Sequence, residues 1–186
     1  RGLLVYHEMG HGKSITAAGI AEGIRHVDAL KGYKIIMILS KSIVENIKGN
    51  IKKYIKLNME EKSDDEIDQH IKDTYQFVSM NASNMASQLD QAANTDIQNP
   101  KDMDMDGVSG SLDNTLIIVD EAHNLFNSIT NGSKNGQNFY RKVMGAKNIK
   151  LVFLTGTPIV NDPFELAVCF NILSFDRKPT LFPEQW

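Results

Sequence analysis

The sequence predicts an α/β fold in which a parallel sheet is covered by helices on both faces. Three observations carry that expectation. Short apolar runs recur along the 186 residues, separated by stretches whose apolar residues fall at helical spacing. The first run opens directly into a glycine-bearing loop and a helix, RGLLVYHEMGHGKSITAA from Arg1 to Ala18. A later run, TLIIV, delivers Asp120 and Glu121 at its C-terminal end.

In chain order, Leu3 to Tyr6 is a continuous apolar run of the kind that a strand buried on both faces requires. His7 to Gly12 forms the loop. Gly10 and Gly12 lack a Cβ, so the backbone there can turn its N–H groups toward an anion at a helix N-terminus. Lys13 adds a cation that can reach the β- and γ-phosphates of a nucleotide, and Ser14 a hydroxyl for Mg²⁺. The strict phosphate-loop pattern asks for glycine at position 7, where this chain has His7. An ordinary strand-to-helix turn with a solvated Lys13 is the plainer alternative. Lys13 to about Asp28 carries Ala17, Ile20, Ala21, Ile24 and Val27 on one face, and Lys34 to Leu39 is a second strand. Ser40 and Lys41 follow at the end of that strand, where ligands of open α/β sheets collect.

A second amphipathic helix runs from about Ser42 to Leu57, its lysines turned outward either as a solvated face or as a nucleic-acid backbone track. Met59 to Asp73 reads as a polar, acidic connector, Tyr75 to Met80 as a third strand, and Ser83 to Ala93 as a short helix. Residues 94–114 hold Pro100, Met/Asp alternations and a Gly/Ser run, with few residues able to enter a core, so they read as a mobile surface loop. Thr115 to Val119 is the fourth strand. Asn124 to Gln137 reads as a polar, Gly-containing stretch, Asn138 to Gly145 as a helix, and Leu151 to Leu154 as a fifth strand running into Thr155 and Thr157. Pro163 opens a closing amphipathic helix through Leu173.

Hydrophobic content of 41% and charged content of 23% are those of a globular protein, and no apolar run approaches a membrane helix. Without a secretory leader pattern and with Cys169 as the single cysteine, the expected setting is intracellular and reducing. The net charge of −3 gives no global pull toward nucleic acid. Arg1 in place of Met, almost directly before a strand, reads as the start of a piece of something longer.

An apolar strand ending in Asp-Glu can set two carboxylates beside the phosphates. Asp120 would hold the metal that bridges the β- and γ-oxygens, and Glu121 would orient and deprotonate the attacking water. A capping pair for the next helix is the alternative for these two residues.

In order, RGLLVYHEMGHGKS, LIIVDEAH and LTGTPIVNDPFEL resemble motifs I, II and III of superfamily 2 helicases and translocases, the second being a DEAH box. The likeness is nearest to Swi/Snf-type translocases and to the early-transcription and NTPase helicases of large DNA viruses. ILSKSIVENI resembles motif Ia, and the end of YQFVSMNASNM resembles the next strand end along the nucleic-acid groove. The resemblance implies that residues 1–186 are the N-terminal RecA-like lobe of a P-loop NTPase. It implies ATP and Mg²⁺ as cofactors, nucleic acid (DNA rather than RNA) as partner, and a second RecA-like lobe in the parent chain.

Residue by residue, it assigns Gly10, His11, Gly12, Lys13 and Ser14 to nucleotide binding and Ser14 and Asp120 to the metal. Lys13 and Glu121 become catalytic, His123, Thr155 and Thr157 couple nucleotide to lobe closure, and Ser40 and Lys41 contact nucleic acid. The motif III strand is expected between those of motifs I and II. The family's arginine finger belongs to the second lobe, and nothing around Arg177 resembles it. The lobe alone is therefore expected to bind ATP and turn it over slowly, by roughly 10³–10⁵-fold. A nucleotide-gated scaffold module without productive turnover is the competing reading, and a kinase a distant third. A nuclear location, or a cytoplasmic factory or virion for a viral protein, would follow.

Overall fold

The computed structural model describes residues 2–8, 12–58, 62–94, 111–157 and 163–174. Among them are five strands: β1 (Gly2–Tyr6), β2 (Lys34–Leu39), β3 (Tyr75–Ser79), β4 (Thr115–Val119) and β5 (Lys150–Thr155). All five lie where the apolar runs place them. They form one all-parallel sheet in the order β1-β5-β4-β2-β3. The motif III strand β5 thus sits between β1 and β4, as the family resemblance implies.

The helices are α1 (Lys13–Arg25), α2 (Val44–Asn58), α3 (Asp64–Thr74), α4 (Met85–Ala93), α5 (His123–Thr130), α6 (Lys134–Gly145) and α7 (Phe164–Ser174). Side-chain alternation along the strands divides the core into two clusters. Ile35, Met37, Leu39, Leu116, Ile118, Val152 and Leu154 pack against α1, α2 and α3. Ile36, Ile38, Ile117, Val119, Leu151 and Phe153 pack against α4 to α7. Phe153 meets Phe126 of α5 edge to face, with centroids 5.0 Å apart.

Three expectations need correction. The acidic connector Met59 to Asp73 contains α3. Ser63 and Glu66 form a reciprocal capping box, and Ile67 and Ile71, one turn apart, bury themselves in the core. Asn124 to Gln137 is mostly helical. Leu125, Phe126 and Ile129 give α5 an inward face, while Ser133 caps α6 by accepting from the Gly136 N–H at 3.0 Å. Leu112, assigned to a surface loop, is 2% exposed and belongs to the core. Positions 95–110 of that loop, and with them its expected mobility, lie outside the described residues, as do Gly10, His11, 158–162 and 175–186.

The β3 edge of the sheet is closed without another strand. The Tyr75 N–H bonds to Ile71 O, the Ser79 N–H donates to Gln88 Oε1 at 2.9 Å, and Lys48 Nζ lies 5.5 Å from the centre of the Phe77 ring. The first two occupy the outward N–H groups of Tyr75 and Ser79, which would otherwise invite pairing with a foreign strand.

Candidate nucleotide site at the strand C-termini

Because the strands are parallel, their C-terminal ends gather on one rim. Backbone bonds continue the ladder just past the strands: His7 N to Thr155 O at 3.1 Å, Asp120 N to Ile38 O at 3.0 Å, Ala122 N to Leu154 O at 3.0 Å, and Met80 N to Leu39 O at 3.0 Å. These bonds tie the starts of the loops after β1, β3 and β4 to the ends of β5 and β2.

Gly12 precedes α1 at φ 81°, a left-handed conformation that side-chain-bearing residues rarely adopt, and accepts from the Thr16 N–H at 3.0 Å. Lys13 and Ser14 form the first turn of α1, where N–H groups without helical partners face the rim. Across 108 residues of sequence, Lys13 Nζ donates to Glu121 Oε1 at 2.7 Å. Their side chains are 11% and 39% exposed. Glu121 itself takes φ 48°, another left-handed position and an unusual one for a glutamate.

Asp120 is 9% exposed. Burial, and then the negative charge of Glu121, push its carboxyl above the ordinary value of 3.8, although the Glu121 N–H, Lys13 and His123 oppose the rise. Two carboxylates on successive residues, one of them buried, form an oxygen-ligand pair suited to a hard divalent cation, with Ser14 on the facing helix turn. Among the described residues, no group of three or more His, Cys, Asp or Glu could hold a metal, so a cation here would need further oxygens from elsewhere.

His123 opens α5 and joins the β4 and β5 loops. Its Nδ1 lies 2.9 Å from Thr155 Oγ1, 3.2 Å from Thr157 Oγ1 and 3.4 Å from Glu121 Oε2. Thr155 Oγ1 lies 3.0 Å from Thr157 O and accepts from the Thr157 N–H at 3.1 Å. With the Thr155 hydroxyl donating to Thr157 O, the hydrogen between Thr155 and His123 is supplied by the Nδ1–H tautomer of the imidazole; with the hydroxyl donating to Nδ1, the ring proton lies on Nε2. Lys13, Glu121, His123, Thr155 and Thr157 make one connected polar row. The sequence supplied every member of it except the direct Lys13–Glu121 contact, which depends on the β1-β5-β4 strand order.

Ser40 and Lys41 stand apart from that row, at the end of β2. Ser40 Oγ pairs with Ser42 Oγ at 3.0 Å, and Lys41 is exposed on the wall of a cavity of about 370 Å³ with Phe77, Ser79, Asn84 and Gln88. The sequence reading passed over Asn84 and Gln88. A polar i, i+4 pair on α4 and its N-cap is the signal that marks them, and Gln88 Nε2 bonds Asn84 Oδ1 at 2.8 Å. Three lysines of α2 meet carboxylates instead. Lys52 Nζ bonds both Asp68 oxygens at 3.0 Å and lies 3.8 Å from Asp64, Lys56 pairs with Asp64, and Lys48 with Glu45 at 2.8 Å. Two lysines of the basic stretch, Lys52 and Lys56, are thus neutralised inside the chain by the acidic one that follows it.

A phosphate-loop helix following β1, a carboxylate pair after β4 and β5 between them define the first lobe of a superfamily 2 helicase. Sequence comparison agrees. Residues 1–160 match the family model described as type III restriction enzyme, res subunit, and the chain belongs to that family. It is 40% identical over 178 residues to a termination factor NPH-I homolog of African swine fever virus, covering 94% of this chain and 22% of that protein. An Acanthamoeba polyphaga mimivirus protein with the provisional name ATP-dependent RNA helicase R563 is 27% identical over 190 residues, covering 99% of this chain and 31% of that protein. A provisionally named helicase, 087L, of Invertebrate iridescent virus 3 is 26% identical over 199 residues, covering 92% of this chain and 18% of its own length. The chain therefore spans between about a fifth and a third of the length of these relatives. Among the described residues, no helix is long and apolar enough to cross a membrane.

Proposed function

We propose that the chain is the ATP-binding and hydrolysing lobe of an ATP-dependent nucleic-acid translocase or helicase that acts inside cells on DNA, paired with a second RecA-like lobe in its parent protein. The observation that carries this reading is the meeting of Lys13 with Glu121 at 2.7 Å beside the buried Asp120. A cation for phosphate, a carboxylate for water and a carboxylate for metal converge from two strands.

In this reading Gly10, His11, Gly12 and Ser14 wrap the phosphates with backbone N–H groups and the Ser14 hydroxyl, and Lys13 leaves Glu121 to meet the β- and γ-oxygens. Asp120 and Ser14 hold Mg²⁺, which when bound neutralises charge on the transferring phosphoryl group. Glu121, released from Lys13, orients the attacking water and takes its proton. His123 stays tied to Thr155 and Thr157, so a change at Glu121 reaches the β5 loop. Ser40 and Lys41 contact the nucleic-acid backbone. The preference for DNA rests on the resemblance to DNA-tracking motors; the names of the relatives include both a termination factor and RNA helicases.

Two variants on the full chain test the reading. Glu121→Gln should keep nucleotide affinity, measured by calorimetry with ADP, while ATPase falls by roughly 10²–10⁴-fold. Lys13→Ala should lose nucleotide binding itself. Wild-type turnover in Glu121→Gln would remove the enzymatic role, and ATP binding without turnover in the wild type would favour a nucleotide-gated scaffold. Stimulation of ATPase by RNA in preference to DNA would overturn the choice of track.

A further inference from the structure

The two edges of the sheet differ. On the β3 side the outward N–H groups of Tyr75 and Ser79 are occupied, by Ile71 O and Gln88 Oε1. On the β1 side the His7 N–H bonds Thr155 O, one residue past the pairing of Tyr6 with Thr155. In a parallel ladder alternate residues turn both backbone groups to the same neighbour, so Leu3, Val5 and His7 face β5. Leu4 and Tyr6 therefore turn their N–H and C=O groups to the free side, where neither meets a partner among the described residues. The side chains of this edge are open as well: Leu3 is 51% and Tyr6 57% exposed, although a parallel sheet is ordinarily covered on both faces.

The crossovers indicate which segment belongs there. The steps from β1 to β2 and from β2 to β3 move toward the β3 edge, and their helices α1, α2 and α3 lie on one face. The steps from β3 to β4 and from β4 to β5 move back, and α4, α5 and α6 lie on the other face. One hand of crossover ties direction to face in this way, and parallel connections are right-handed almost without exception. Helix α7 follows β5 and packs on the face of α4 to α6 through Val168, Cys169 and Ile172. A strand that follows α7 under the same rule must lie on the far side of β5 from β4. There β1 already occupies the first place, and its free edge is the next. The helix also ends where such a strand has to begin. A Cβ added to Gly2 would strike Leu173 Cδ2, so the last turn of α7 stands over the start of β1.

We propose that a segment of the parent protein C-terminal to Trp186 returns as a sixth strand, parallel to β1 on its free edge and bonded to the outward backbone groups of Leu4 and Tyr6. In the relatives most of the protein lies outside the matched region, which is the source of chain for such a segment in a protein built like them. The added strand grips β1 from its second side just before the loop that leads to Lys13. The proposal takes from the reading above only that a longer chain carries this lobe; it needs neither nucleotide binding nor turnover.

Two measurements on the intact parent protein test this. The first is amide exchange resolved to single residues. The Leu4 and Tyr6 amides should exchange at least about 100-fold more slowly than unprotected ones, as the β5-bonded amides of Leu3 and Val5 do. The second places the photo-crosslinker p-benzoylphenylalanine at position 6, in a mixture of isotopically light and heavy copies. Illumination should join position 6 to a peptide C-terminal to Trp186, with both ends carrying the same isotope, as a link within one chain requires. Leu4 and Tyr6 amides that exchange at the unprotected rate while Val5 stays slow overturn the sixth strand. A link to a peptide N-terminal to Arg1, or to a different protein, overturns the choice of occupant. Links between light and heavy chains do the same and mark a second copy on this edge. Loss of nucleotide binding or ATPase in the same preparation counts against the proposed function alone and leaves the strand assignment standing.

Discussion

Asp120 shows how function and stability oppose one another at a single residue. Its pKa in the folded chain lies above the ordinary 3.8, so the folded state holds the proton more tightly than the unfolded state does. As pH rises through 3.8 and then through the folded value, the native state loses stability, and at neutral pH the ionised carboxylate is a standing cost. Asp120→Asn removes that cost and keeps an oxygen to accept from the Glu121 N–H, now at 3.0 Å. The variant should therefore be more stable than wild type at pH 7, by about 0.5–2 kcal/mol. The advantage should shrink as pH is lowered through the folded pKa toward 3.8. Thermal melts of the two proteins across that range check the sign, and Mg²⁺-dependent nucleotide binding should be lost in the same variant. The acid pair, Lys13 and Gly12 were legible because local motif chemistry confines them to a few neighbouring positions. The contact of Lys13 with Glu121 was not, since it depends on the strand order that sets β5 between β1 and β4.

At the scale of elements, legibility followed the density of apolar residues. Strands β2, β4 and β5 stand out because they are buried on both faces and read as apolar runs, whereas β1 and β3, at the sheet edges, are only partly buried. Helix α3 was hidden because 11 residues carry only Ile67 and Ile71 inward, and the charges around them outweigh the pattern; its Ser63 to Glu66 capping box was the available signal. Helix α5 was hidden by asparagines between its apolar positions. The joint between α5 and α6 allows a sharp test. A Cβ on Gly136 would sit 2.7 Å from Ser128 C and O and 2.8 Å from Ile129 N, all backbone atoms that no side-chain rotation can move aside. Gly136→Ala should therefore push the two helices apart and destabilise the chain by about 1–3 kcal/mol in chemical denaturation. Nucleotide affinity should change little, because α6 contributes no residue to the rim.

At the scale of the whole molecule, the sheet order converts distant sequence into one site. β5 between β1 and β4 lets Thr155 reach His7 through its backbone and His123 through its side chain. None of these contacts could be read from spacing, because each spans more than thirty residues. The charge pattern obeys the same logic, for the basic run of α2 and the acidic run of α3 look like separate patches until the fold sets them face to face. Lys52 and Lys56, held by Asp64 and Asp68, are already paired and would displace few of the cations condensed on an arriving polyanion. The salt sensitivity of nucleic-acid binding must then come from other cations. Lys52→Ala and Lys56→Ala should leave the slope of log affinity against log salt nearly unchanged on the full chain. Lys41→Ala should make it shallower by roughly 0.7 for a single strand or 0.9 for a duplex. Replacing Asp64 and Asp68 together by asparagine should steepen it, turning an internal strap into a new landing strip for phosphate.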